Sequence, residues 1–330
     1  YQVITALGAR LSHTGTDLQG MKGKPTGNYA LGKDIDANNT HGWDLDTNNK
    51  GFRPVSNFSG RFEGLGHVIS NLYSESDTGS RGLFHPAVNA HIANTGLENI
   101  TMKGRDNVGG FIGYNNGSII VNCFVTGSVQ GRNNVAGIIA SNSNGQGKVL
   151  FSYSHTNATG THGVGSLVGR TDANKIEIQN SFSTGKIIGG NWSGALMGGD
   201  SYGTVINSFW DVNSSSFNTS KGGTQKNTLE MQTASTYTDA GFSFSQKTGS
   251  WKILEGLTYP IFRWQTYPSL STPLTDANFH SAINLWFNDE ANATFIYGHI
   301  SDWNVSQVTD MSETFKGRAT FNEDITGWDV

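Results

Sequence analysis

The chain has 330 residues, of which 35% are hydrophobic, so it is long enough to bury a substantial core in two or three domains. Only 15% of the residues are charged, against about 25% in an average soluble domain, and 43 residues are glycine. The net charge of −4 and the absence of any Lys/Arg run argue against nucleic acid or an anionic membrane as a partner. No stretch reaches the ~18 consecutive apolar residues of a spanning helix, so we expect no direct membrane insertion of this segment.

Residues 1–57 are predicted to form an N-terminal cap that contains a string of alternating carboxylate and amide side chains before Gly51. Ca²⁺ prefers six to eight hard oxygen ligands from such a flexible turn, although the glutamate that completes an EF-hand loop is missing. The predicted calcium ligands are Asp34, Asp36, Asn38, Asp44, Asp46 and Asn48. The alternative is that these side chains cap turns through hydrogen bonds.

A repeat of about 28 residues runs through residues 58–264 and determines the fold class. One column of positions has steps of 23, 28, 29, 29 and 27 residues and contains Asn71, Asn94, Asn122, Phe151, Asn180 and Asn207. A second column has steps of 28, 27, 29 and 29 residues and contains Gly82, Gly110, Gly137, Ser166 and Ala195. Each unit consists of three short β-rich pieces between Gly/Asn turns, without a helical period. The repeat therefore predicts an all-β fold, a right-handed parallel β-helix with coils of about 28 residues.

Stacking of such coils gives the columns a structural role. We expect the Asn column to occupy turns in which amide side chains hydrogen-bond along the stack. Cys123 lies in a column with Ser152, Ser181 and Ser208, which predicts a small packed thiol rather than a nucleophile. As the only cysteine, it also excludes an internal disulfide framework and a cysteine-built metal site.

Several segments resemble GLUG-motif proteins, a family of large surface adhesins with filamentous-haemagglutinin-like β-helices. The resemblance rests on residues 17–20, 28–37, 58–73, 108–113, 208–211 and 251–260 and extends over about residues 14–264. Ala136, Phe151 and Ser166 depart from the family pattern within single repeats. The resemblance implies an extracellular, cell-surface location and a C-terminal cap on the β-helix.

Residues 265–275 are predicted to be a linker, and residues 276–330 a small α+β module. Phe279, Ala282, Ile283 and Trp286 form one apolar face, which predicts a helix of about 12 residues capped by Thr275. The segment Ile300–Val305 recurs as Ile325–Val330, a step of 25 residues, and resembles BspA-like surface repeats related to leucine-rich repeats. Because an uncapped solenoid edge exposes strand, we expect further repeats to follow, and the start at Tyr1 suggests a processed or excised segment.

The sequence contains candidate ligand-binding residues but no predicted catalytic residue. Glycoside hydrolysis needs two facing carboxylates, and the acids of residues 89–210 form no column. Arg105 and Arg132 lie one coil apart and are predicted to bind a sugar acid or a sulfate, or else to be solvated turn charges. Tyr114 and Trp192 are candidates for stacking on sugars, with a packing role as the alternative.

Ten Asn-x-Ser/Thr sequons are predicted glycosylation sites if the source is a secreting eukaryote. They begin at Asn38, Asn57, Asn99, Asn116, Asn157, Asn191, Asn213, Asn218, Asn292 and Asn304.

These features predict an extracellular adhesin or structural stalk segment that binds glycans or proteins through β-helix loops, with no catalysis and with Ca²⁺ as the one candidate cofactor. One alternative is a subunit of an extracellular filament or sheath, with further repeats or neighbouring protomers as partners. The other is a polysaccharide lyase or glycoside hydrolase on a β-helix scaffold.

Overall fold

The structure is a computed structural model that describes residues 1–46, 48–143, 145–171, 176–199, 203–245, 249–266 and 273–328. It divides into two compact units, Tyr1–Trp251 and Lys252–Val330. In the first unit, strands from successive repeats pair in parallel along several sheets, which confirms the predicted parallel β-helix. No helix of the described residues is long and apolar enough to cross a membrane.

Each central coil contains four strands, one more than the sequence predicted. The coil that begins at His91 consists of His91–Ala93, Gly96–Lys103, Asp106–Gly109 and Ile112–Asn116. The four strands belong to four sheets, which we name A, B, D and C in chain order. The prediction of three pieces was wrong because a corner at Gly110 and Phe111 divides one apolar run into two strands.

The strands of the β-helix fall into these four sheets. Sheet A contains Gln2–Ile4, Tyr29–Leu31, Arg61–Glu63, His91–Ala93, Ile119–Val121, Gly147–Leu150, Ile176–Gln179 and Thr204–Ile206. Sheet B contains Ile35–Asp36, Asp44–Asp46, Asn49–Gly51, Val68–Ser70, Tyr73–Ser76, Gly96–Lys103, Phe124–Gln130, Tyr153–Thr159, Phe182–Ser183, Ile187–Ile188, Phe209–Asp211 and Thr224–Lys226. Sheet C contains Ala87–Val88, Ile112–Asn116, Ile139–Asn142 and Val168–Thr171, and sheet D contains Asp106–Gly109, Asn133–Ala136 and His162–Gly165. Two further strands are Trp251–Lys252 and Ile261–Phe262.

The strand register confirms the period and corrects one step of the sequence alignment. His91 pairs with Ile119, and Ile119 pairs with Lys148, steps of 28 and 29 residues. Asn71, however, accepts a hydrogen bond from Asn99 Nδ2 at 2.8 Å rather than lying in the column of Asn94. The step of 23 residues was wrong because each coil has two Asn turns of similar sequence, and the alignment joined one to the other.

Apolar columns fill the interior of the β-helix. In sheet A the register aligns Phe62, Ile92, Ile120, Val149 and Ile178, and all five side chains are fully buried. Each such side chain contributes about 1.5–3 kcal/mol through removal from water. One coil cannot bury its own apolar side chains on both sides, so stability accumulates from coil to coil.

Buried hydroxyls form a ladder at one turn. The Ser152 Oγ accepts a hydrogen bond from the Cys123 backbone N–H at 3.1 Å and donates to the Leu150 carbonyl at 2.8 Å. Ser181 repeats this arrangement one coil later. Cys123 itself is fully buried, and burial raises the pKa of its thiol to about 12. The prediction of a small packed thiol is confirmed.

Asparagine side chains form a second ladder of hydrogen bonds between coils, at residues whose backbone is left-handed. Asn122 Nδ2 donates to Asn94 Oδ1 at 3.0 Å, and Asn134 Nδ2 donates to Asn107 Oδ1 at 2.8 Å. All four residues have φ between 52° and 55°, which Asn tolerates better than other residues with a side chain. Asparagine is therefore selected by both the backbone and the amide ladder.

An aromatic column projects from sheet B, outside the interior columns. The Tyr153 ring stacks 5.3 Å from Phe124 and 5.0 Å from Phe182. Residues 227–245 and 249–251 form a cap over the column, with the Trp251 ring 6.0 Å from Tyr153 and the Tyr237 ring 5.5 Å from Phe182. This cap includes the helices Thr228–Met231 and Ala234–Thr238. The helix Val212–Ser215 precedes it in the chain. In the N-terminal segment, residues 1–57, the structure has the 3₁₀ helices Gln19–Gly23 and Asn38–Gly42.

The second unit contains the helices Phe279–Asn288 and Glu290–Tyr297 and the 3₁₀ helix Ile300–Asp302. The predicted apolar face of the first helix is buried, but the helix has 10 residues and Asn278, not Thr275, is its N-cap. Thr275 instead accepts the Phe279 N–H through its carbonyl at 2.9 Å. The indoles of Trp303 and Trp328, which are 25 residues apart at equivalent positions of the C-terminal repeat, stack at 6.2 Å.

Candidate functional site

A concave corner lies between sheets B and D and continues over successive coils. Its floor has one glycine per coil, namely Gly104, Gly131, Gly160 and Gly189. A Cβ on Gly131 would lie 2.8 Å from Val108 Cγ2, so the backbone must pass closer to the core than any other residue permits. These glycines let the backbone turn tightly against the buried valines at the corner.

The resulting corner groove has a volume of about 510 Å³. It is lined by Glu75, Ser76, Asp77, Lys103, Gly104, Arg105, Gln130, Gly131, Arg132 and Thr161. One of its walls is a column in strand register, in which Lys103 pairs with Glu75 on one side and with Gln130 on the other. The predicted ligand residues Arg105 and Arg132 both lie in this groove.

One carboxylate lies between the two arginines. Asp106 Oδ2 is 3.6 Å from Arg105 Nε and 3.3 Å from Arg132 Nη2. Both guanidinium groups are half exposed, so these ion pairs contribute little to stability. In the described part of the chain the Arg105 guanidinium forms no hydrogen bond, so its donors remain for a ligand or for water.

A second pocket of about 290 Å³ shares no lining residue with the groove but contains Asp106, which pairs with both groove arginines. It is lined by Asp106, Asn133, Asn134, His162, Gly163, Arg170, Trp192 and Gly199, and we call it the Trp192 pocket. The Trp192 side chain is 56% exposed, and its ring lies 5.6 Å from the His162 imidazole. His162 Nδ1 is buried and has no hydrogen-bond partner among the described residues. The pocket thus combines an exposed aromatic face with polar groups.

Tyr114 lies in neither pocket. It is part of sheet C, where the register aligns it with Ser141 and Arg170, and its hydroxyl contacts Ser143. Sequence reasoning missed His162, Arg170 and Asp106 as pocket residues. The repeat alignment could have identified Asp106 and His162, because Asp106, Asn133 and His162 occupy equivalent positions in three successive repeats.

Two of the predicted calcium ligands, Asp34 and Asp36, accept hydrogen bonds from protein groups. Asp34 Oδ1 accepts from the Val68 N–H at 3.0 Å. Asp36 accepts from Asn71 Nδ2 and the Asn38 N–H, and these two hydrogen bonds lower its pKa. Asp44–Asp46 forms an antiparallel pair with Asn49–Gly51, and the Asp46 side chain lies outside the described part. Across the described residues, no three His, Cys, Asp or Glu side chains are grouped as a metal site requires, so calcium stays a prediction.

The sequons differ in their accessibility. Eight of the ten Asn side chains are exposed, whereas Asn116 and Asn292 are half-buried. Asn99 is exposed, but its Nδ2, the atom that would carry a glycan, donates to Asn71. Asn191 is exposed and directly precedes Trp192 in sequence, so a glycan there would lie beside the Trp192 pocket.

Comparison with known proteins finds two family matches. Residues 104–130 match the GLUG motif, a range that contains Arg105 of the corner groove and ends two residues before Arg132. Residues 276–330 match the family described as Mycoplasma protein of unknown function, DUF285. Halomucin from Haloquadratum walsbyi is 34% identical over 125 residues, 34% of this chain. The chain spans about 1% of the length of that curated relative.

Two solved structures are similar to this chain. A putative immunoglobulin A1 protease from Bacteroides ovatus superposes with a TM-score of 0.51 at 21% identity, over 75% of this chain and 90% of that one. A second structure, named IgA1 Protease, has a TM-score of 0.46 at 15% identity over 86% of this chain and 27% of its own. The first likeness supports the β-helix fold, and the family matches together with halomucin support a surface repeat protein.

Proposed function

We propose that this chain is an extracellular adhesin segment in which the β-helix presents the Trp192 pocket and the corner groove to a glycan. The observation that carries this proposal is the exposed Trp192 ring beside buried and half-buried polar groups. An exposed indole costs free energy in water unless a partner covers it, and Trp192 lies in a turn, with φ of 59°, at the edge of the pocket. A stiff, fully laddered scaffold suits a surface protein that must hold a site away from the cell.

The chemistry of the Trp192 pocket suits a sugar ring. The apolar C–H face of a pyranose can stack on the indole, while its hydroxyls face both donors and acceptors. Asp106 supplies carboxylate oxygens, and Asn133 supplies an amide that already donates to Asp106 Oδ1 at 2.6 Å. His162 Nδ1 offers a buried position for one more hydrogen bond, which a sugar hydroxyl can satisfy in either tautomer.

We expect binding without turnover. Among the lining residues of the Trp192 pocket, Asp106 is the one carboxylate that the structure describes. Hydrolysis of a glycosidic bond ordinarily uses two carboxyl groups on opposite sides of the bond. The pocket therefore has groups that orient a sugar but not the pair of groups that cleaves one.

A glycan-binding screen of the whole chain, with and without a calcium chelator, tests the proposal. Trp192→Ala should lower affinity for the bound glycan at least tenfold, and Trp192→Phe should recover part of it because a smaller aromatic face remains. Leu229→Ala is the matched control, since Leu229 is 68% exposed on the cap. Loss of binding with chelator would support the predicted calcium loop as a second requirement.

The same samples should be assayed for new reducing or unsaturated ends. Cleavage products from the wild-type chain would replace the adhesin proposal by a lyase or hydrolase. Equal affinity of Trp192→Ala and Leu229→Ala would remove the pocket from the binding site. An absence of both binding and cleavage would favour the role of a filament or sheath subunit.

A further inference from the structure

We infer that the corner groove binds an acidic residue of an extended glycan, with its anionic oxygens between Arg105 and Arg132. The inference rests on the proposed function and adds the chemical class of the ligand. A uronate carboxylate and a sulfate ester share the required chemistry, namely two or three anionic oxygens that accept in-plane N–H donors.

The two guanidinium groups have unused donors at the right spacing. They lie on adjacent coils, which in a parallel β-helix are about 4.8 Å apart. Arg105 approaches Asp106 at 3.6 Å through Nε alone, beyond hydrogen-bond distance, and the contacts of Arg132 with Asp106 are 3.3–3.4 Å. An anionic group in the groove can therefore form shorter hydrogen bonds with both arginines than the protein itself provides.

The charge pattern of the groove limits where the anion lies. The cations Lys103, Arg105 and Arg132 occupy two successive coils, whereas Glu75 and Asp77 occupy the coil before them. Beyond Arg132 the lining continues with the neutral Thr161, and then with the Trp192 pocket. A glycan that stacks on Trp192 therefore extends toward the arginines, and the acids beyond them mark the end of the anion-binding part.

Spacing favours a glycan over an extended peptide in this groove. Equivalent groups on one face of a peptide strand recur every ~6.7 Å, which does not match the coil repeat of about 4.8 Å. A chain of pyranose rings advances by roughly one ring for each coil, so successive rings meet equivalent wall positions. The register of Lys103 with Gln130, and of Gln130 with Thr159, provides one polar wall residue for each coil.

Asp106 has a distinct predicted effect, because it competes with the ligand for both arginines. Replacement by asparagine removes this competing charge while keeping an oxygen that can accept the Asn133 amide hydrogen bond. The remaining amide oxygen can still accept a sugar hydroxyl in the Trp192 pocket, so Asp106→Asn should strengthen binding of an acidic glycan through the freed arginines, whereas loss of an arginine should weaken it. In a groove that binds glycans only through shape or hydroxyl contacts, these two kinds of substitution would not change the affinity in opposite directions.

The experiment measures affinity of the full chain for polygalacturonate and for its fully methyl-esterified form, and in a second arm for dextran sulfate and dextran. Arg132→Gln should weaken binding to the acidic polymer about threefold to tenfold, and Asp106→Asn should strengthen it by a similar factor. Arg61→Gln is the matched control, because Arg61 is exposed on sheet A and its loss changes the net charge equally. Added salt should weaken binding to the acidic polymers alone.

The two arms distinguish a carboxylate from a sulfate as the preferred group. Equal affinity for acidic and neutral polymers would overturn the inference, as would Arg132→Gln behaving like Arg61→Gln. If neutral glycans still bind in a Trp192-dependent manner, only this inference fails. If no glycan binds at all, the proposed function fails with it.

Discussion

The serine ladder allows a sharp test of how the coils are held together. Ser181 is fully buried, and its Oγ accepts the backbone N–H of Ser152 at 3.1 Å while donating to the Gln179 carbonyl at 2.8 Å. Substitution Ser181→Ala removes this oxygen and leaves the N–H of Ser152, also fully buried, without its partner. The interior offers no water to replace it, since both positions have no exposed surface.

The expected cost follows from that unpaired donor. An unsatisfied buried N–H destabilises a protein by about 1–3 kcal/mol, and the apolar alanine recovers only a fraction of this. Ser181→Cys should cost less, because Cys123 occupies the same ladder position elsewhere in the stack and donates to the Val121 carbonyl at 3.2 Å. Ser128→Ala, at an exposed position of sheet B, should change stability by less than about 0.5 kcal/mol.

Urea unfolding of the three variants, together with hydrogen exchange at the Ser152 amide, measures these effects. A solenoid can lose coils in steps, so the local exchange rate is the more direct readout. We expect faster exchange at Ser152 in Ser181→Ala and no change in Ser128→Ala. Equal exchange rates and equal midpoints for the two alanine variants would refute the ladder as a source of stability.

Three further predictions concern single side chains. Burial lowers the pKa of His155 to about 4, so below about pH 6.5 the unfolded chain binds a proton that the native chain does not bind. The free energy of unfolding should therefore fall by about 1–3 kcal/mol between pH 6.5 and pH 4. In a pH series of thermal unfolding, His155→Thr should lack this dependence. Tyr153→Ala removes the ring between Phe124 and Phe182 and should cost about 3–5 kcal/mol in urea unfolding, against less than about 1.5 kcal/mol for Tyr153→Phe. Expression in a eukaryotic secretory host should glycosylate the exposed Asn191 and block glycan binding at the Trp192 pocket. Enzymatic removal of the attached glycan should restore binding. If the glycosylated chain binds as tightly as the unglycosylated chain, the Trp192 pocket is not the binding site.

The fold could be predicted because the residues that build it recur. Asn122, Ser152 and the apolar columns repeat once per coil, since each coil must satisfy the same hydrogen bonds and bury the same face. The errors have the same origin. Asn71 and Asn94 belong to different turns, but both are left-handed Asn positions, so the sequence pattern around them is alike although their neighbours in space differ.

The candidate site was predictable only in part, because only some of its residues occupy equivalent positions in successive coils. Arg105 and Arg132 were found through their one-coil spacing, and Trp192 through its chemistry alone. Tyr114 shares that chemistry but lies on another sheet. The partnership of Asp106 with both arginines depends on side-chain directions at the corner, which a repeat alignment does not contain.

The separation between periodic and aperiodic residues has a functional consequence. Interior columns and ladders are constrained coil by coil, because any change leaves a buried group unpaired or a cavity. The outward wall of the corner groove carries no such constraint, and its successive residues Glu75, Lys103, Gln130, Thr159 and Ile188 run from acidic through basic and neutral to apolar. Under the proposed function, substitutions along this wall should therefore change which glycan is bound while the scaffold keeps its stability.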